Sequence, residues 1–158
     1  MSSVMKVDSI TKSDGTDGVH IAGHVVQVQH HTSSTVVTYT GGSFQTFNMS
    51  YTFTPLFANS KIWLCATIAG EHYNYSDLGI TYGIYINGSQ VYTSQYTDYH
   101  SADNSQNISQ HMLQYYDTVS STSPRTYAIL FAPSNAVGTA RVNNYGAPSR
   151  MTLMEIAQ

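Results

Sequence analysis

Apolar and polar residues alternate with a period of two along most of this chain, which is typical of β-strands rather than helices. The clearest case is residues 62–68, where every second position is apolar: Ile62, Leu64, Ala66 and Ile68. The positions between them are scarcely polar, so we predict a central strand that is covered on both faces. Cys65 lies in this run, where we expect it to be buried as a small apolar residue.

A second alternating run covers residues 80–86 and is followed by Asn87 and Gly88 and then by a third run at 90–93. Asn-Gly between two alternating segments is the strongest short-range signal for a β-hairpin, because both residues tolerate the positive φ that a two-residue turn requires. The sequence therefore predicts a hairpin with its turn at these two residues.

The same reasoning places further strands throughout the chain, at residues 24–32, 35–40, 44–53, 110–119, 125–132, 139–143 and 150–156. That makes about nine short strands separated by Gly, Pro, Asn and Ser clusters. No amphipathic helical segment separates any two of them, which excludes βαβ units. We predict an all-β fold, an antiparallel β-sandwich that is jelly-roll-like.

The first 23 residues differ from the rest, because charged residues concentrate there in an otherwise weakly charged chain. The strand-like pieces at 7–10 and 19–21 are too short to bury a core by themselves. The sequence therefore predicts two parts, an N-terminal arm at 1–23 and a β-sandwich domain at 24–158.

Charged residues make up only 9% of the chain, whereas Ser and Thr supply 38 of its 158 residues. Six basic residues against nine acidic ones leave no basic stripe, so we expect no nucleic-acid partner. The longest apolar run is too short for a membrane helix, and the N-terminus lacks the apolar core of a signal peptide. We expect synthesis in a host cytoplasm and no membrane insertion.

The arm also carries a resemblance. Residues 5–10, Met-Lys-Val-Asp-Ser-Ile, and 13–21, Ser-Asp-Gly-Thr-Asp-Gly-Val-His-Ile, resemble an adaptor motif near the start of fibre proteins in marine and cyanobacterial phages. The body is similar to the tip modules of those fibres at residues 23–28, 53–55, 59–62 and 149–156. The resemblance implies a homotrimer located on a virion.

On that resemblance, the arm would attach to other virion proteins through Lys6, Val7, Asp8 and Ile10, while the sandwich would bind a host surface. The chain departs from long phage fibres because it has no shaft. A trimeric capsid or collar decoration protein that recognises no host therefore stands as the alternative.

Tyrosine is unusually dense between residues 72 and 100. Three of these residues, Tyr82, Tyr85 and Tyr92, fall in predicted strands and are expected to pack in the sheets. The others lie in predicted loops at 72–77 and 95–104, where function concentrates on a β scaffold. Tyrosine combines a flat apolar face with a hydroxyl, which suits sugars and protein epitopes. We expect receptor or ligand binding by Tyr73, Tyr75, Tyr96, Tyr99 and His100, with subunit contact as the other interpretation.

No cofactor is expected, and the seven histidines show no metal-ligand spacing. His30 and His31 are adjacent in a predicted strand and so point to opposite faces, although a histidine near a three-fold axis would be presented three times. Hydrolysis requires paired carboxylates, and the candidates form no distinctive motif: Glu71, Asp77, Asp98, Asp103 and Asp117. We predict no enzyme activity, with a polysaccharide depolymerase as the weakest alternative.

Overall fold

The fold consists almost entirely of β-strands. A computed structural model describes residues 22–73, 78–94, 97–100 and 107–158, and these form eleven strands and one short 3-10 turn at Asn144–Gly146. The strands are β1 (Val25–Ser33), β2 (Val37–Thr40), β3 (Gln45–Phe53), β4 (Lys61–Tyr73), β5 (Leu78–Ile86), β6 (Ser89–Thr93), β7 (Thr97–His100), β8 (Asn107–Thr118), β9 (Arg125–Pro133), β10 (Thr139–Val142) and β11 (Ser149–Ile156).

The strands form two antiparallel sheets, which confirms the predicted β-sandwich. One sheet contains six strands and the other five. Five pairings are nested: β5 with β6, β4 with β8, β3 with β9, β2 with β10, and β1 with β11. The three inner pairs alternate between the two sheets, and the two outer pairs both lie in the six-stranded sheet. The chain is thus one long hairpin that is rolled up, in a jelly-roll-like arrangement.

Strand β4 is the centre of the six-stranded sheet. Strand β8 pairs with one edge over the whole length of β4, while β11 and then β10 pair in line with the other edge. The inward residues of β4 are buried against the second sheet: Ile62, Leu64, Ala66 and Ile68. Two aromatic pairs from the five-stranded sheet, Phe47 with Phe131 and Phe53 with Tyr127, fill the core edge-to-face.

The predicted hairpin is confirmed at the tip of the rolled-up structure. Ile86 pairs with Ser89, which leaves Asn87 and Gly88 as a two-residue turn with φ values of 51° and 80°. The Asn87 side-chain oxygen accepts a hydrogen bond from the Thr126 N–H at 2.8 Å. The turn is therefore tied to the neighbouring strand β9 as well as to its own hairpin.

The prediction that β4 is covered on both faces is wrong. Its outward residues Trp63, Cys65 and Thr67 are half-buried, and no second layer packs on that face among the described residues. Cys65 is therefore not the fully buried residue that the apolar run indicated. The outward apolar residues partly cover each other instead, since Trp63 stacks on Tyr116 with ring centroids 6.1 Å apart.

A buried carboxylate organises the end of the sandwich where β1 begins. Glu155 is 0% exposed and accepts hydrogen bonds from the N–H groups of Leu56 and Phe57, from the Ser60 hydroxyl and from the Gln27 amide, at 2.6 to 2.9 Å. Burial alone would raise the pKa of Glu155, but these four donors outweigh it and hold the pKa below its ordinary value of 4.5. The carboxylate thus ties β11 to β1 and to the β3–β4 connection.

A second polar group lies near the same end. Asp117 is buried, accepts a hydrogen bond from the Tyr127 hydroxyl at 2.7 Å and lies 3.2 Å from Nε of Arg125. Burial and the adjacent carboxylate raise the pKa of Tyr127 far above its usual range. The hydroxyl therefore stays a donor at every physiological pH.

Candidate functional site

The described ends of the two tyrosine-rich segments meet at one end of the sandwich, although seventeen residues, 78–94, separate the segments in sequence. Strand β4 ends at Tyr73, β5 begins at Leu78, and the backbone of Leu78 pairs with His100 of β7. Asn107, the first residue of β8, pairs with His72. We call the end marked by Tyr73, Leu78, His100 and Asn107 the tyrosine end.

The opposite end of the sandwich is where the chain enters from the arm. The Gly23 N–H donates to the Ala157 carbonyl at 2.8 Å. Val25 then pairs with Ile156, and Ile156 pairs with Lys61 at the start of β4. We call this end the base. Because Tyr73 lies twelve residues beyond Lys61 along β4, the base and the tyrosine end are separated by about 40 Å.

The loop assignment of three predicted site residues is wrong. Tyr73 belongs to β4, and Tyr99 and His100 belong to β7. Strand β4 continues past its apolar run because β8 and β10 both offer backbone partners there. Strand β7 has only four residues, too few to show a period.

The remaining predicted site residues lie outside the described residues: Tyr75 and Tyr96, and Lys6, Val7, Asp8 and Ile10 of the arm. The structure thus brings the backbones of Tyr73, Tyr99 and His100 to one end.

A buried polar network underlies the tyrosine end. Glu71, two residues before Tyr73, accepts a hydrogen bond from the Asn144 side-chain amide at 2.6 Å and lies 3.7 Å from Nη1 of Arg141. Arg141 in turn donates from Nε to the Thr38 hydroxyl at 2.9 Å. These contacts join β2, β10, the 144–146 turn and β4, so that the end of β4 is held from one side.

Tyr145 is an exposed aromatic residue near this end that sequence reasoning missed. Its side chain is 68% exposed, and its backbone has a positive φ of 54°. That conformation is costly for a tyrosine and persists only where the surroundings enforce it. The neighbouring Asn144 is bonded to Glu71, which places Tyr145 beside the end of β4. The only sequence signal was the turn composition Asn143-Asn144-Tyr145-Gly146.

The other tyrosines divide between core and surface. Tyr82 is fully buried, and Tyr85 is half-buried and packs edge-to-face on Phe44, as predicted for sheet residues. Tyr92 is 41% exposed and so packs less than predicted. Tyr115 packs against the core whereas Tyr116 faces outward, because adjacent residues of a strand point to opposite faces.

Two of the candidate carboxylates, Glu71 and Asp117, and two of the histidines, His30 and His31, have structural contacts. Glu71 lies nine residues along β4 from Ile62, the partner of Asp117, so these two carboxylates are about 30 Å apart. Glycosidase carboxylates lie roughly 5–10 Å apart. His30 and His31 contact different partners, the Thr152 hydroxyl and the Asn48 carbonyl. No cluster of three potential metal ligands occurs among the described residues.

None of the helical segments in the described residues is long and apolar enough to cross a membrane.

Comparison with known proteins gives a likeness of fold only. No protein-family model matches the chain, and no curated protein matches it. Solved structures with a similar chain path include VP2 of infectious bursal disease virus in a subviral particle, at 14% identity and a TM-score of 0.44, covering 98% of this chain and 42% of that one. The structure of the Gt strain of that virus is similar at 14% identity and a TM-score of 0.45, over 96% of this chain and 43% of that one.

A bacterial protein shows a comparable likeness. Dimeric latent PorU from Porphyromonas gingivalis is 12% identical with a TM-score of 0.45, over 94% of this chain and 14% of that one. This chain thus spans less than half the length of each of these structures. At such identities and TM-scores the likenesses carry no argument about function.

Proposed function

We propose that this protein is a non-enzymatic virion surface component, a short phage fibre or tail-fibre-type module that binds a host-surface glycan or protein through its tyrosine end. The arm attaches it to other virion proteins through Lys6, Val7, Asp8 and Ile10. The protein assembles as a homotrimer, as the fibre resemblance implies.

The observation that carries this proposal is the separation of the two ends of the sandwich. The chain leaves the arm at the base, and the tyrosine-rich segments meet about 40 Å away along β4. A module held to a particle at its base would present Tyr73, Tyr99 and His100 outward. Jelly rolls serve as scaffolds in both viral capsid and lectin domains, so the fold is compatible with binding at this end.

The composition and the carboxylate contacts support the non-enzymatic part of the proposal. A weakly charged, hydroxyl-rich chain suits a binding surface. Of the carboxylates proposed for hydrolysis, Glu71 and Asp117 are far apart and each is engaged by donor groups. The protein is therefore proposed to bind sugar or protein without cleaving it.

The test is adsorption of particles or purified protein to host cells. Replacing Tyr73, Tyr75, Tyr96 and Tyr99 by Ala should reduce adsorption at least tenfold, because stacking on several aromatic faces is lost, while the protein stays folded and on the particle. Tyr92→Ala is the matched control, because Tyr92 is an exposed tyrosine that lies in β6, away from the tyrosine end. Its adsorption should equal that of the unmodified protein.

Unchanged adsorption by a folded quadruple variant would contradict receptor binding at this end. Loss of particle stability, with normal adsorption of the particles that remain, would favour the decoration protein instead.

A further inference from the structure

Among the described strands, β8 lies at an edge of the six-stranded sheet. It pairs with β4 in twelve consecutive positions without a bulge, from Lys61 opposite Thr118 to His72 opposite Asn107. Within the described residues no other strand is hydrogen-bonded to β8. Its second edge therefore presents a long, regular row of backbone groups that can pair with another strand.

The usual protection of an edge strand is missing between Ile108 and Tyr116. Edge strands are commonly blocked by Lys, Pro, bulges or short length, and this stretch contains no Lys, Arg, Pro, Asp or Glu. Its outward residues include three exposed apolar side chains, Ile108 at 55%, Met112 at 67% and Tyr116 at 59%. The edge is thus suited to pairing rather than to remaining in water.

The outward residues of β8 are symmetric in polarity about Met112. Two glutamines flank it, at positions 110 and 114, and an apolar residue follows on each side, Ile108 and Tyr116. We propose that two copies of this chain join edge to edge through β8, antiparallel, with a two-fold axis at Met112. Met112 then faces its own copy, Gln110 faces Gln114, and Ile108 faces Tyr116, so that every outward pair matches in character.

This contact goes beyond the proposed function. A two-fold contact would join chains of neighbouring trimers, because the contacts within a three-fold trimer are heterologous. A nine-residue pairing is about 30 Å long and about 10 Å wide, or on the order of 300 Å² per copy. A stable interface needs roughly 800 Å² per partner. The contact is therefore weak between free chains and becomes significant where many copies are held close together, as on a particle.

The first test is disulfide trapping in a Cys65→Ser background. Directly opposed residues in an antiparallel pair have Cα atoms about 4.5–5.5 Å apart, within the range that a disulfide spans. Met112→Cys should therefore give covalent dimer on mild oxidation of concentrated protein. Ile108→Cys is the matched control, since it is equally outward and exposed but would lie about 27 Å from its own copy.

The second test is a charge exchange across the axis, followed by sedimentation at increasing concentration. Gln110→Lys with Gln114→Lys places like charges opposite each other at both symmetric pairs and should weaken association about tenfold. Gln110→Lys with Gln114→Glu places opposite charges at the same pairs and should preserve it. Both variants carry two substitutions at exposed positions, and thermal unfolding of each checks that the fold is intact.

Equal trapping at positions 108 and 112, or no trapping at 112 in folded protein, would overturn the proposal. So would equal association of the two charge variants, because that outcome places the contact elsewhere.

Discussion

At the scale of single residues, Glu155 is the clearest example of a polar group that the fold requires. It is fully buried, yet four donors from two segments surround its carboxylate. Its position in an alternating strand between Met154 and Ile156 gave no indication of this role. The donors come from residues 27 and 56–60, and only the tertiary fold brings those segments to β11.

Replacing Glu155 by Gln should lower the free energy of unfolding at neutral pH by about 2–3 kcal/mol, because an amide cannot accept from all four donors. The pKa of Glu155 is depressed in the folded state. The stability that the Glu155 carboxylate contributes is therefore fully present above the pKa of the unfolded state. It is lost as pH falls through the pKa of the folded state.

Denaturant unfolding of both proteins from pH 7 to pH 3 measures this effect. The difference in unfolding free energy between the two proteins should be constant from pH 7 down to about the ordinary glutamate pKa of 4.5. Below that pH the difference should become smaller. A difference that stays constant across the whole range would show that the charge of Glu155 is unimportant.

At the scale of elements, the Asn87-Gly88 hairpin shows local sequence and fold in agreement. Asn87→Ala removes both the acceptor for the Thr126 N–H and a residue that tolerates positive φ, so we expect a loss of about 2 kcal/mol in unfolding free energy. Asn87→Gly removes only the acceptor and should cost about half as much. Equal losses for the two variants, measured by denaturant unfolding, would contradict the backbone contribution.

Most strands could be predicted because a strand with one buried and one exposed face alternates apolar and polar residues, and this pattern is visible in the local sequence. Strand β7 could not, since four residues carry no period, and the extension of β4 to Tyr73 depends on backbone partners in β8 and β10. The scarcity of polar residues between the inward positions of β4 was interpreted as burial on both faces, whereas outward Trp63 stacks on its neighbour Tyr116. A strand face that is apolar without a covering layer has the same sequence pattern as a face that a second layer covers.

At the scale of the whole molecule, composition and strand spacing predicted the sandwich, but the order of its strands was not predictable. Strand β1 pairs with β11 across more than a hundred residues, and no local pattern specifies such a partner. The tyrosine-rich segments were recognised from sequence, while their meeting at one end depends on the pairing of Leu78 with His100. Tyr145 was missed because turn residues gave no reason to expect an exposed aromatic side chain there.

Removal of residues 1–21 tests the division of roles between the two parts. This cut keeps the hydrogen bond from Gly23 to Ala157, so the unfolding temperature should change by less than about 2 °C. The protein should then no longer copurify with particles, as judged by immunoblotting. If the shortened protein stayed on particles, that result would contradict the attachment role of the arm.

The opposite placement of the base and the tyrosine end has a mechanical consequence. If a particle pulls at the base while a host surface holds the tyrosine end, the load runs along the strands, since β4 connects both ends. The hydrogen bonds that join β1 to β11 and β11 to β4 lie across that direction and are then loaded together in shear instead of opening one at a time. Such a sheet resists tension well, and the sandwich could transmit force from a host surface to a particle without unfolding.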